Sequence, residues 1–162
     1  MALTEAGEAE ARAAAALLSP LGFRRCLVSD LGRARRTAEL ALAGRSVPVH
    51  VLPELRERRM GVLQGERIEA VRSDGRAEAY LLPWSPGPPG GESHAQLYAR
   101  ARAVLSAWDD GTPTLVVAHG TLIKGVVGLL DGLAPEEIPK LPPPPNAIPI
   151  LRHVRSWPPC PT

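Results

Sequence analysis

With only two cysteines in 162 residues, this chain has no disulfide framework to stabilise it. Cys26 lies in a strand pattern and Cys160 in a Pro-rich tail, so the pair shares no metal-ligand spacing, and both are expected as free thiols. Long apolar runs are also missing: nothing approaches the ~20 residues that span a bilayer. The opening Met1-Ala-Leu-Thr-Glu-Ala-Gly-Glu8 carries acids where a secretory leader carries bases. A cytoplasmic chain that does not engage a membrane is the expectation. Excess charge is lacking as well, since 19 Lys and Arg stand against 17 Asp and Glu, interspersed with them, for a net +2. Nothing in that balance calls for nucleic acid as a partner.

What is present is a 44% apolar composition, enough for a core of ordinary size. The chain reads as one domain over 1–156 with a flexible tail over 157–162. Thr4 to Leu18 is Ala-rich and helical, with Thr4 as N-cap and Glu5 and Glu8 at the positive end of the dipole. Arg25 to Ser29 reads as a strand, Arg33 to Leu42 as a helix, and Val47 to Leu52 as a second strand. Glu66 to Ala79 is expected as one or two irregular helices, and Pro83 to Gly91 as a surface loop. Ser93 to Ala107 is a long helix, Thr114 to Ala118 an apolar strand buried on both faces, and Thr121 to Leu130 a helix entered through a His-Gly turn. Pro142 to Pro145 reads as an extended connector and Ala147 to Val154 as a last strand. Strands alternating with helices predict an α/β three-layer sandwich, a mostly parallel sheet with helices on both faces.

Parallel strands joined by right-handed crossovers send their C-terminal ends to one edge of the sheet. Three such ends carry ionisable groups: Arg33 after Ser29-Asp30, Glu57 after the Val47 to Leu55 segment, and His119 after Leu-Val-Val-Ala. A cation at a helix N-terminus just past a strand end is where α/β sheets bind anions. A cation, a carboxylate and an imidazole in one crevice suit phosphoryl chemistry, in which equatorial oxygen charge is stabilised and a leaving group protonated. Each residue alone has a plainer reading: Arg33 on a solvated helix face, Glu57 in a surface ion pair among Arg56, Arg58 and Arg59, and His119 as a structural histidine.

Four blocks in order then resemble the histidine phosphatase superfamily, also called phosphoglycerate-mutase-like. They are Ser29-Asp-Leu-Gly-Arg33-Ala-Arg-Arg-Thr37-Ala-Glu39, Leu55-Arg-Glu57-Arg-Arg-Met-Gly61-Val-Leu-Gln-Gly65, Pro89-Gly-Gly-Glu92-Ser93 and Val117-Ala-His119-Gly120. The likeness runs over about the whole chain. It implies ping-pong phosphoryl transfer through a phosphohistidine, acting on a small-molecule phosphate ester without a metal or other cofactor. On matching positions Arg33 belongs to the phosphate pocket, Glu57 donates a proton to the leaving oxygen, and His119 is the second histidine, stabilising the transferring group. Glu92 and Ser93 line the pocket from the loop side; the alternative is that Ser93 caps its helix with Glu92 in the solvent. The short segment between Gly65 and Gly91, with Tyr80, Trp84 and several prolines, suits a broad phosphatase better than a mutase.

One departure bears on activity. The family's nucleophile lies in an Arg-His-Gly motif on a first, central strand that precedes the helix with which this chain opens. No Arg-His-Gly occurs here; Arg152-His153 is followed by Val154, and His50 and His94 lack that context. Losing a covalent nucleophile costs on the order of a million-fold in rate, so the chain as written is expected to be inactive. A missing central strand removes about half a dozen buried side chains at roughly 1.5 to 3 kcal/mol each, comparable with a domain's whole stability. It leaves Thr114 to Ala118 with unpaired backbone, an edge open to self-association. An N-terminally incomplete sequence is therefore the expectation, with a noncatalytic phosphate-binding or strand-accepting protein as the alternative.

Overall fold

Cys26, Leu27 and Val28 are fully or almost fully buried, and the alternation of a strand turns the first and third to one face of a sheet and Leu27 to the other. They lie on β1 (Arg25–Ser29), the middle strand of a computed structural model that describes residues 2–82 and 85–142. β1 pairs in parallel with β2 (Val49–Leu52) and β3 (Thr114–Val117), giving the order β2-β1-β3. Cys26 sits opposite Val49 on one side and Leu115 on the other.

The first face is covered by α1 (Glu5–Leu18) and α2 (Gly32–Ala41). Ala14, Leu18, Ala34, Ala38 and Ala41 pack there with Cys26, Val28 and Phe23, and Leu115 and Val117 join from β3. Alanines at these spacings let two helices approach the sheet closely, and Glu8 of α1 pairs with Arg36 of α2 at 2.7 Å. Thr4 Oγ1 accepts the Gly7 N–H at 3.1 Å, a cap worth about 1 kcal/mol. The second face is covered by α5 (His94–Ala107) and α6 (Gly120–Leu130), with Leu27, Leu97, Ala101, Leu122 and Ile138 at its centre. α6 lies against α5 at Gly125, where a Cβ would stand 2.3 Å from the Tyr98 ring. Two apolar clusters on opposite faces of one parallel sheet are the three-layer sandwich that the alternating pattern predicts.

The local differences have physical reasons. Pro48 has no N–H to give, and β2 begins at Val49 rather than Val47. The segment from Glu66 resolves into α3 (Ile68–Ser73) and α4 (Arg76–Tyr80). β3 is half-buried at every position instead of buried on both faces, because among the described residues it is an edge of the sheet. The loop expected on the surface is partly interior: Ser85, Gly87 and Pro88 are buried. It is held by Val62 N–H to the Pro89 carbonyl at 3.0 Å and Glu92 N–H to the Arg59 carbonyl at 2.9 Å. Trp84, the connector beyond Pro142, the Ala147 to Val154 strand, Arg152-His153, Cys160 and the tail lie outside the described residues. Among the described residues no helix is long and apolar enough to cross a membrane.

Candidate functional site

β1 ends at Ser29, whose Oγ accepts the Leu31 N–H at 3.3 Å as the chain turns into α2. Arg33 follows in the first turn of that helix. β3 ends at Val117, and two residues later His119, in extended conformation, is the N-cap of α6. Because β1 and β3 are parallel neighbours, these two ends lie side by side. Arg33 Nε donates to His119 Nδ1 at 3.2 Å, and His119 Nε2 is 2.9 Å from Ser29 Oγ.

Glu57 arrives from the far side of the sheet, just past a 3₁₀ turn (Pro53–Leu55) that follows β2. One carboxylate oxygen accepts the Thr121 N–H at 3.1 Å and the other the Arg58 N–H at 2.8 Å. The Thr121 amide is one of those a helix start leaves without an intrahelical partner. Arg33, Glu57 and His119 thus converge on the first turn of α6.

His119 is 6% exposed. Burial, and then the Arg33 cation, holds its pKa below the ordinary value, with Glu57 and Asp30 pulling the other way. The imidazole is therefore neutral near pH 7, with one N–H and one lone pair shared between Ser29 and Arg33. Among the described residues Arg33 has no carboxylate within ion-pair distance, so its charge is available to an incoming anion. The neighbouring cation is occupied differently: Arg56 grips Asp30 with bonds of 2.8 and 2.5 Å, and this keeps the Asp30 carboxyl below its usual range.

Ser93 and Glu92 divide between the two readings. Ser93 caps α5, its Oγ accepting the Gln96 N–H at 3.1 Å while Gln96 Oε1 accepts the Ser93 N–H at 2.9 Å. It also borders a cavity of about 310 Å³, with His94, Tyr98, Ser85 and Glu136 among the other lining residues. Glu92 is not in the solvent; it is 3% exposed, bound by Arg100 at 2.9 and 2.8 Å and by the Arg59 N–H at 3.2 Å. Burial alone would raise its pKa, but these donors outweigh it and the net shift is downward. Glu92 therefore braces the turn that carries Glu57. The same turn is fitted to the loop at Gly61, whose φ is +48° and where a Cβ would stand 2.1 Å from the Pro89 carbonyl oxygen.

Sequence reasoning missed three participants. Ser29 stands inside the first quoted block, but a lone serine before an aspartate gives no signal of an imidazole 90 residues away. Arg58, read only as one of several surface arginines, is 6% exposed, with Nη1 2.9 Å from His94 Nδ1 and Nη2 donating to the Tyr80 carbonyl at 3.0 Å. His94 in turn is pushed down to about 4 by burial, with Arg58 adding to it. Among the described residues no group of three His, Cys, Asp or Glu side chains is placed to hold a metal ion.

Against this geometry, residues 1–156 match the family model described as the histidine phosphatase superfamily, branch 1. The chain belongs to that superfamily. It is 38% identical over 152 residues to a 2,3-bisphosphoglycerate-dependent phosphoglycerate mutase of a Methylobacterium species, covering 86% of this chain and 73% of that protein. It is 36% identical over 137 residues to a Photorhabdus laumondii protein named "Probable phosphoglycerate mutase GpmB", covering 81% of this chain and 64% of the relative, under two thirds of its length. In structure this superfamily member resembles a mycobacterial glucosyl-3-phosphoglycerate phosphatase, with a TM-score of 0.76 at 28% identity over 91% of this chain and 77% of the other. The fold also matches the alpha-ribazole phosphatase of Shigella flexneri, TM-score 0.77 at 24% identity, over 90% and 74% of the two chains. The phosphoglycerate-mutase-like fold expected from the four blocks is thus the fold of this chain.

Proposed function

We propose that this chain carries the Arg33, Glu57 and His119 portion of a histidine phosphatase site that hydrolyses a small phosphomonoester in the cytoplasm. The observation that carries this reading is the convergence of the three side chains on the first turn of α6, with Arg33 at 3.2 Å from His119 and Glu57 at 3.1 Å from the Thr121 amide. In the complete reaction a histidine of an Arg-His-Gly motif attacks phosphorus and the ester P–O bond breaks. Glu57 gives its proton to the departing oxygen. Water then attacks the phosphohistidine, giving its proton to Glu57 and releasing inorganic phosphate and the free histidine. Arg33 and His119 hold the equatorial oxygens in both steps.

The 162 residues contain no Arg-His-Gly. That favours a second reading for the chain taken by itself: a phosphate-binding module that does not turn substrate over. Both are tested together. The 162-residue chain should bind inorganic phosphate saturably in calorimetry, at least 10-fold more weakly after Arg33→Ala, and leave an aryl phosphate intact. A form extended by an upstream segment bearing Arg-His-Gly should hydrolyse the same aryl phosphate and lose that activity with His119→Ala. An extended form that stays inert removes the enzymatic reading; a chain that ignores phosphate removes both.

A further inference from the structure

We propose that Ser29 is a positioning residue: its buried hydroxyl holds the His119 ring in the tautomer that keeps the proton on Nε2 and turns the Nδ1 lone pair toward Arg33. The inference deepens the site reading above and rests on it for its functional consequence.

The tautomer follows from donor and acceptor chemistry. A guanidinium nitrogen can only donate, so at 3.2 Å from Arg33 Nε the His119 Nδ1 must be the acceptor. A neutral imidazole has one N–H, which is then on Nε2, and Ser29 Oγ lies 2.9 Å from it. The serine oxygen also receives the Leu31 N–H at 3.3 Å, so its orientation is set by the turn between β1 and α2. Ser29 is fully buried and His119 6% exposed, which keeps bulk water from serving as a substitute acceptor. The charged groups that face His119, namely Arg33, Glu57 and Asp30, act through space or at Nδ1 and make no bond to Nε2. Without Oγ the Nε2–H is buried and unpaired, and the ring gains by turning or by moving its proton. Either change takes away the Nδ1 acceptor that fixes Arg33 Nε, and with it the aim of the guanidinium that would hold an anion.

The test is the long-range proton–nitrogen spectrum of the uniformly ¹⁵N-labelled 162-residue chain at pH 8. The parent and Ser29→Thr should show His119 as a single tautomer with unprotonated Nδ1; Ser29→Ala should show a mixture or the opposite tautomer. A protonated Nδ1 in the parent overturns the proposal without any variant, as does an unchanged single tautomer in Ser29→Ala. Calorimetry with inorganic phosphate reads the consequence: about 10-fold weaker binding for Ser29→Ala, restored by Ser29→Thr. If the parent binds no phosphate, the site reading fails while the tautomer spectrum still decides the role of Ser29.

Discussion

The Glu57 carboxylate accepts the backbone N–H of Thr121 at 3.1 Å, tying the turn after β2 to the first turn of α6. The two strands that deliver these residues never touch, since β1 lies between them. The bond therefore spans the C-terminal edge of the sheet, and it puts a negative group within the space where Arg33 and His119 would hold an anion.

That placement predicts the effect of Glu57→Gln. The amide has one acceptor oxygen where the carboxylate uses two, so it keeps the Thr121 bond at the expense of the Arg58 N–H, and it removes a charge that repels phosphate. Calorimetry should show several-fold tighter phosphate binding at pH 8, with a loss of about 1 kcal/mol in unfolding. Weaker binding would mean that Glu57 does not face the anion.

Glu92 is buried and its carboxylate serves Arg100 and the Arg59 amide together. Removing it leaves the half-buried Arg100 guanidinium with only the Glu54 and Arg56 carbonyls, and the Arg59 amide unpaired, which costs about 2 to 4 kcal/mol. Urea unfolding of Glu92→Ala should show a loss of that size, and phosphate affinity should fall with it because the brace holds the Glu57 turn. A loss under about 0.5 kcal/mol would contradict the brace.

At Gly61 a methyl group has nowhere to go. The positive φ and the 2.1 Å approach of the Pro89 oxygen act together. Gly61→Ala should lose at least about 2 kcal/mol in the same unfolding assay, through strain and forced separation of the two loops.

His94 gives the pH dependence a sign. Its pKa is about 4 in the folded chain against an ordinary 6.5, so between these values the unfolded chain binds a proton that the folded chain does not. Stability should be flat with respect to this group above pH 6.5 and fall as pH drops toward 4, with a slope from His94 alone of up to about 1.4 kcal/mol per pH unit. His119, shifted the same way, adds to the fall. Guanidinium unfolding across pH 4 to 7 should give a shallower slope for His94→Gln than for the parent; equal slopes would sink the assignment.

The alternation of apolar runs with Ala-rich helical stretches was legible because each element is set by neighbours in sequence: the Thr4 cap, the β-branched and apolar run of β1, the capping box at Ser93. The meeting of Arg33, Glu57 and His119 was legible for a related reason, since each follows a strand within a few residues and parallel strands end at one edge. The interior part of the Pro83 to Gly91 loop was not, because Pro and Gly mark a turn without saying what packs on it.

Sequence alone thus determined the class of fold, the family and the three residues at the strand ends, all consequences of short-range periodicity and motif order. Tertiary structure decided which neighbours those residues have. Ser29 became the partner of His119, Arg58 went inward to His94 rather than out to solvent, and Glu92 became a buried brace, because burial and hydrogen-bond geometry depend on strand order and loop packing across 33 to 90 residues of chain.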